Sequence, residues 1–342
     1  MSTKEFAGYR QEGTKTHGFA GLPLAEILPE DEALHAPAAS GHYSSTETSY
    51  FGFNIPEHRI NGEIYVWFHP VLKVVSASVY IWKGLKPSTL ACEYIHHFNY
   101  LPFPENGIAD YTLDGLNLSI KVIEPLKSIQ LDFEDKDRNT SFSMRQDAIM
   151  PPGGRPGGYH FTQAMRTTGK LTLLGEDYTI DGFFSRDRSW SQERRENAQP
   201  MPPLSWMVGV FDETFAFHCM AFDDPAQGPE WASEFPSVVP GGNLFWGYIF
   251  RNGKLVPLQS VEKITHREPD GLSPRLIEMV MTDVDGNRYP VRGYVQARMP
   301  WQTWQNMNTF FCQTRWEYDG HVGYGDIQDV QFNHFTHKFA RY

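Results

Sequence analysis

Runs of β-branched and aromatic residues separated by tight-turn signals constrain the fold of this chain more than any other feature. Glu63-Ile-Tyr-Val-Trp-Phe-His69 and Lys73-Val-Val-Ser-Ala-Ser-Val-Tyr-Ile-Trp82 read as neighbouring antiparallel strands, the second with the two-residue alternation of a half-buried sheet. Gly115–Ile123 and Lys127–Phe133 follow, broken at Pro125. Strands resume at Tyr159–Gln163, Lys170–Leu174, Trp206–Phe211 and Thr214–Met220, the last two joined at Asp212-Glu213. Asn252-Gly253 and Asp285-Gly286 supply the positive φ that two further hairpins need. About a dozen strands at hairpin spacing, with no helix-strand alternation, predict an all-β protein of two related antiparallel sandwiches or barrels.

Residues 1–45 are rich in Gly, Ala, Pro and polar side chains and are expected to form an irregular arm, with short helical candidates at Leu24–Leu28 and Asp31–His35. Met150-Pro-Pro-Gly-Gly-Arg-Pro-Gly-Gly158 is the densest Pro/Gly run and reads as a linker or lid loop. The expected organisation is therefore an arm (1–45), an N-terminal β domain (46–158) and a C-terminal β domain (159–342). Ser189–Asn197 is a further, short and polar, helical possibility.

With 342 residues the chain has room for two domains of ordinary size or one large β domain, and either can bury a substantial core. A formal charge of -11, from 41 acidic against 30 basic residues, argues against nucleic acid or an anionic membrane as partner. Cys92, Cys219 and Cys312 are widely spaced and form no Cys-x-x-Cys pair, so a reducing compartment fits. No secretory signal and no apolar run of about 18 residues is visible, and a soluble cytoplasmic protein is expected. Nucleotide-binding, serine-hydrolase and zincin motifs are absent. His96-His97 and His334-Phe-Thr-His337 are the tightest histidine groups, but on a strand residues three apart face opposite ways, so no metal is expected.

Asp181-Gly-Phe-Phe-Ser-Arg-Asp-Arg-Ser-Trp190 concentrates charge and aromatic rings beside a strand-like stretch that turns at Gly175-Glu176-Asp177. It is expected at a sheet rim or cavity mouth, either as an Asp-Arg pair knitting loops together or as part of a site. Aromatic residues make up 14% of the chain, enough to fill a core or to wall a cavity for a large flat or polyene-like ligand. In such a cavity one carboxylic acid can protonate a substrate while a second carboxylate directs water or steadies a cation. Asp187 and Asp326 are the candidate catalytic acids, and His218, on a hydrophobic strand, a candidate for positioning water. Trp190, Arg188, Trp206, Tyr324 and Trp246 are the candidate substrate contacts. His321-Val-Gly-Tyr-Gly-Asp-Ile-Gln-Asp329 is a Gly-punctuated strand whose glycines serve barrel closure or ligand approach.

The Gly-x-x-x-x-Asp-x-x-Trp pattern of Gly182–Trp190, the Trp206-x-x-Gly209 strand after it and the Gly-rich strand near the end resemble the AttH and hydroxyneurosporene synthase (carotenoid 1,2-hydratase) superfamily, mainly over residues 160–335. The resemblance implies two consecutive lipocalin-like β domains and a cofactor-independent hydratase, lyase or isomerase acting on a hydrophobic, isoprenoid-like or polycyclic molecule held between them. It makes Asp187 the motif carboxylate and Trp190 its aromatic companion. This chain departs from the pattern in placing Arg186 and Arg188 beside the acid and Ser191 where Gly is common. Two adjacent guanidinium groups would hold Asp187 ionised, as an ion-pair partner. The alternative function is a non-catalytic lipocalin-like carrier of a hydrophobic small molecule; a homodimer is compatible with either.

Overall fold

A computed structural model describes residues 4–6, 9–12, 15–37, 39–194, 201–224, 233–235, 238, 242–304 and 307–341. The strands are β1 (Lys4–Phe6), β2 (Tyr9–Glu12), β3 (Lys15–His17), β4 (Ser45–Ile55), β5 (Ile60–His69), β6 (Val74–Lys83), β7 (Tyr94–Pro102) and β8 (Asp110–Leu113). They continue as β9 (Leu118–Glu124), β10 (Ser128–Asp135), β11 (Thr140–Ala148), β12 (Gly153–Gly154), β13 (His160–Leu173), β14 (Glu176–Glu193) and β15 (Leu204–Asp212). The last are β16 (Phe215–Phe222), β17 (Leu244–Arg251), β18 (Lys254–Arg267), β19 (Pro274–Asp283), β20 (Arg288–Trp304), β21 (Met307–Tyr318) and β22 (His321–Phe332), followed by helix α1 (Asn333–Phe339). No described helix is long and apolar enough to cross a membrane.

The chain divides into two compact units, Ala25–Arg194 and Met1–Leu24 with Arg195–Tyr342. The first is an antiparallel sheet in the order β7-β6-β5-β4-β14-β13-β11-β10-β9-β8, with β12 added on β13. The second is a closed eight-stranded antiparallel barrel, β15 through β22, in which β22 returns to pair with β15. The fold is all-β with two lipocalin-like units, as the strand pattern and the resemblance predict. Each unit has its own apolar interior: Phe51, Phe53, Ile64, Val66, Val79 and Phe142 in the open-sheet unit, and Met207, Phe217, Cys219, Ile249, Cys312 and Ile327 in the closed barrel.

The domain boundary differs from the expected one. β13 and β14 pair with β11 and β4, so the first unit runs to Arg194 and not to 158. The Pro/Gly run is no linker: Gly153 and Gly154 pair with Thr162 and Phe161, and Gly154 bridges to Ala25. Its glycines permit that approach, since a Cβ on Gly154 would lie 2.3 Å from the Ala25 carbonyl oxygen. The arm is also not one element. β1, β2 and β3 form a small sheet, and Phe19 and Gly21 donate backbone hydrogen bonds to Phe245 and Leu258 of the barrel. Residues 25–37 belong to the open-sheet unit, where the helical candidates reduce to a bridge at Ala25 and one 3-10 turn, Pro29–Glu32. Of the proposed helix at Ser189–Asn197, residues 189–193 lie in β14 and 195–197 fall outside the described residues.

Gly323 and Gly325 serve barrel closure, the first of the two uses the sequence allows. A Cβ on Gly325 would sit 1.9 Å from the Val208 carbonyl oxygen, and one on Gly323 would sit 2.5 Å from that of Val210. Backbone atoms of β15 cannot yield as a side chain can. Gly325→Ala is therefore expected to destabilise the barrel by about 2 kcal/mol or more, read as a lower urea midpoint at unchanged slope.

Candidate functional site

The residues singled out in the sequence separate by strand alternation. In the closed barrel Met207, Cys219, Ile249 and Ile327 fill the interior, so their sequence neighbours project outward. Register then aligns the outward side chains. Val208 pairs with His218 and His218 with Tyr248; Trp206 pairs with Met220 and Met220 with Trp246. On the other flank of β15, Gln328 pairs with Trp206 and Tyr324 with Val210, which sets Asp326 abreast of Val208. Asp326, His218, Trp206, Trp246 and Tyr324, proposed separately from sequence, thus share one outer face. Asp326 and His218 lie in one lateral row two strand spacings apart, about 10 Å between Cα atoms.

This face is buried although it is not the barrel's interior. Asp326 is 3% exposed and His218 1%, while Trp206 and Tyr324 are half-buried. The His218 ring lies 4.4 Å from that of Trp246 and 5.5 Å from that of Tyr248, measured between centroids. Tyr248, which sequence reasoning missed, sits two residues from Trp246 on the same strand face, and that spacing was its signal. Gln328 Nε2 donates to Asp326 Oδ2 at 3.4 Å, and buried Gln313 lies directly opposite Asp326. Trp316, inside the barrel, donates from Nε1 to the Val208 carbonyl at 2.9 Å and so fixes the backbone between acid and imidazole.

Neither ring nitrogen of His218 has a hydrogen-bond partner among the described residues. Burial pushes its pKa down from the usual 6.5 to about 3, so the imidazole is neutral at physiological pH. The unfolded chain takes up a proton near pH 6.5 and the folded chain only near 3. Stability is lost as pH falls through that window and is fully present above it. Replacing His218 with Phe should flatten the pH dependence of unfolding between about pH 6 and 3, by a few kcal/mol at the acid end. Equal slopes for the two proteins would refute the burial assignment.

The Arg-Asp-Arg-Ser-Trp segment is not at a rim past a hairpin. The hairpin lies at Leu174-Gly175, and Asp187 is deep in the 18-residue strand β14, flanked by β13 and β4. Alternation sends its members to opposite faces. Arg186 donates to Glu32 at 2.6 Å and to Gln163 at 2.9 Å; Arg188 donates to Glu47 at 3.0 Å, to Ser49 and to the carbonyls of Asp31 and Ala33. Both arginines are at most 2% exposed. Burial alone would raise the Glu32 pKa, but the Arg186 guanidinium holds it below its usual value. Trp190 stacks on His35 with centroids 4.6 Å apart. Arg188 and Trp190 therefore anchor residues 31–36 to the sheet, and the Glu32 and Glu47 partners were not read from the sequence. Asp187 faces the other way, opposite Tyr50 on β4 and Thr162 on β13.

A comparable buried ion cluster in the barrel joins Lys263 to Asp223 and Arg267 to Asp223 and Asp329. Burial would raise the Asp223 pKa, yet Lys263 and Arg267 hold it low. Among the described residues no three His, Cys, Asp or Glu side chains are placed to hold a metal ion. His334 and His337 lie on α1, not on the strand that was expected, and His334 contacts Glu234 at 3.3 Å.

The family model for a domain of unknown function, DUF7064, matches residues 28–334. The chain belongs to that family. No curated protein matches it. Among solved structures, kievitone hydratase from Nectria haematococca is similar over 96% of this chain and 99% of its own, with a TM-score of 0.50 and 15% identity. A putative AttH from Nitrosomonas europaea is similar over 90% of this chain and 100% of its own, with a TM-score of 0.52 and 15% identity. The DUF7064 chain thus has the fold that the resemblance to AttH and the hydratases implies.

Proposed function

We propose that the protein is a hydratase-type lyase that adds water to, or removes it from, a carbon-carbon double bond of an apolar, isoprenoid-like or polycyclic small molecule, without a cofactor. The observation that carries this reading is the alignment of Asp326 with His218 on the buried aromatic face of the closed barrel. Asp326, as the acid, gives its proton to one alkene carbon. The cation that builds on the other carbon faces the π systems of Trp206, Trp246 and Tyr248, whose quadrupoles favour positive charge. His218 is neutral and accepts a hydrogen bond from the attacking water. That water supplies the hydroxyl group, and its remaining proton restores Asp326. The sequence is redox-neutral and its atoms balance, so no electron carrier is called for. Similarity of fold to a protein named kievitone hydratase agrees with the reading.

Incubation with a panel of isoprenoid and polycyclic alkenes, followed by mass spectrometry, tests it. The expected result is a product heavier by one water. A compound retained by the protein and recovered chemically unchanged after long incubation would instead favour the carrier.

A further inference from the structure

Tyr324, nominated from sequence as a substrate contact and given no part in the hydration step, belongs to a second constellation on the outer surface of the closed barrel. Register sets Tyr294, Arg315 and Tyr324 in one row across β20, β21 and β22, with Arg315 between the two tyrosines. Cys312 and Trp316 fill the interior from β21, so Arg315 and its row neighbours project outward. Both tyrosines are half-buried, and the Arg315 side chain is 32% exposed. The next row runs Ile264, Glu278, Arg292, Glu317, Val322 from β18 to β22. Here the surface forms a groove of about 700 Å³, with Arg315 in its wall and apolar surface from Ile264, Val280, Pro290 and Val322. That volume falls in the range of small-molecule sites.

The donors of Arg315 are divided unequally. Nη1 donates to Glu317 Oε1 at 2.5 Å, which fixes the guanidinium, while Nε and Nη2 have no partner among the described residues. Those two nitrogens form the side-on edge of the fork, whose parallel N–H bonds match the two oxygens of a carboxylate. Neither phenol hydroxyl of the row has a partner among the described residues, so each can donate from its own side. The charges of the groove leave room for one added anion. Glu262, Glu278 and Glu317 each face a guanidinium, those of Arg288 at 2.9 Å, Arg292 at 2.9 Å and Arg315 at 2.5 Å. Asp319, in the turn between β21 and β22, lines the groove with no cation opposite it among the described residues. That one uncompensated carboxylate favours a planar monoanion over a dianion such as a phosphate ester.

We propose that this groove binds an apolar molecule ending in one carboxylate. The Nε and Nη2 edge of Arg315 holds the carboxylate, Tyr294 and Tyr324 donate from either side, and the apolar chain lies against Ile264, Val280 and Val322. The site takes no step in hydration, and failure of the hydration reading leaves it standing. Isothermal titration calorimetry on the full chain compares octanoate with octan-1-ol and octylammonium, which share the chain and differ in the head group. Octanoate should bind more tightly than either by about tenfold or more. Arg315→Gln should weaken octanoate about tenfold or more, and Tyr324→Phe, which removes a single hydroxyl, by a smaller factor. Ile264→Asp, which puts a charge in the path of the chain and leaves Arg315 in place, should also weaken it. Asp187→Asn, in the other unit, should leave the affinity unchanged, with near-UV circular dichroism establishing native packing in every variant. Absence of octanoate binding, equal or tighter binding of octan-1-ol or octylammonium, undiminished binding by Arg315→Gln, or a loss in Asp187→Asn as large as in Arg315→Gln would overturn the proposal.

Discussion

Asp326→Asn should lower turnover of an alkene substrate by about 10²- to 10⁴-fold, the usual contribution of a positioned general acid. The substitution keeps the shape of the side chain and removes the transferable proton. Asn can still accept from Gln328 and sit opposite Gln313, so folding should survive, and the loss should fall on kcat with KM little changed. His218→Phe should be milder: it preserves the aromatic packing against Trp246 and Tyr248 and removes only the acceptor nitrogen proposed to hold the attacking water. Steady-state rates for both variants, with near-UV circular dichroism to establish native packing, check this ordering. An Asp326→Asn enzyme that turns over at the wild-type rate removes Asp326 from the chemistry.

Arg188→Met should destabilise the open-sheet unit by about 3–5 kcal/mol, the range for breaking one side of a buried ion pair. The guanidinium serves Glu47, Ser49 and the carbonyls of Asp31 and Ala33 at once. Without it Glu47, 1% exposed, becomes a buried carboxylate whose remaining described contacts are to His35. The matching double variant, Arg188→Met with Glu47→Leu, should recover part of the loss, because no charge is then left unpaired; the two carbonyls still lack their donor. Thermal unfolding of the single and double variants separates the contributions. A single variant as stable as wild type would mean that the pair fixes geometry without contributing stability.

The strands were legible because alternation is a local signal. Val74–Lys83 declares its two faces within ten residues, and Asn252-Gly253 declares its turn in two. The unit boundary was not legible for the converse reason. Whether β14 pairs with β4, more than a hundred residues away, depends on packing that no window of the sequence contains, and a Pro/Gly run inside a sheet looks like one between domains. The Arg-Asp-Arg segment misled differently. Taken as a loop, its charges form one cluster; taken as the strand it is, a period of two sends Arg186 and Arg188 to Glu32 and Glu47 and sends Asp187 the other way. In the barrel, residue chemistry nominated Asp326, His218, Trp206 and Trp246, but only the register of β15, β16, β17 and β22 puts them on one face.

Reaction in ¹⁸O-labelled water most directly tests the claim that the outer face of the barrel performs hydration. The account predicts that the wild-type protein places the label in the hydroxyl group of the product, that Asp326→Asn does not, and that Asp187→Asn still does. Label appearing undiminished with Asp326→Asn and vanishing with Asp187→Asn would contradict it and move the chemistry to the other unit.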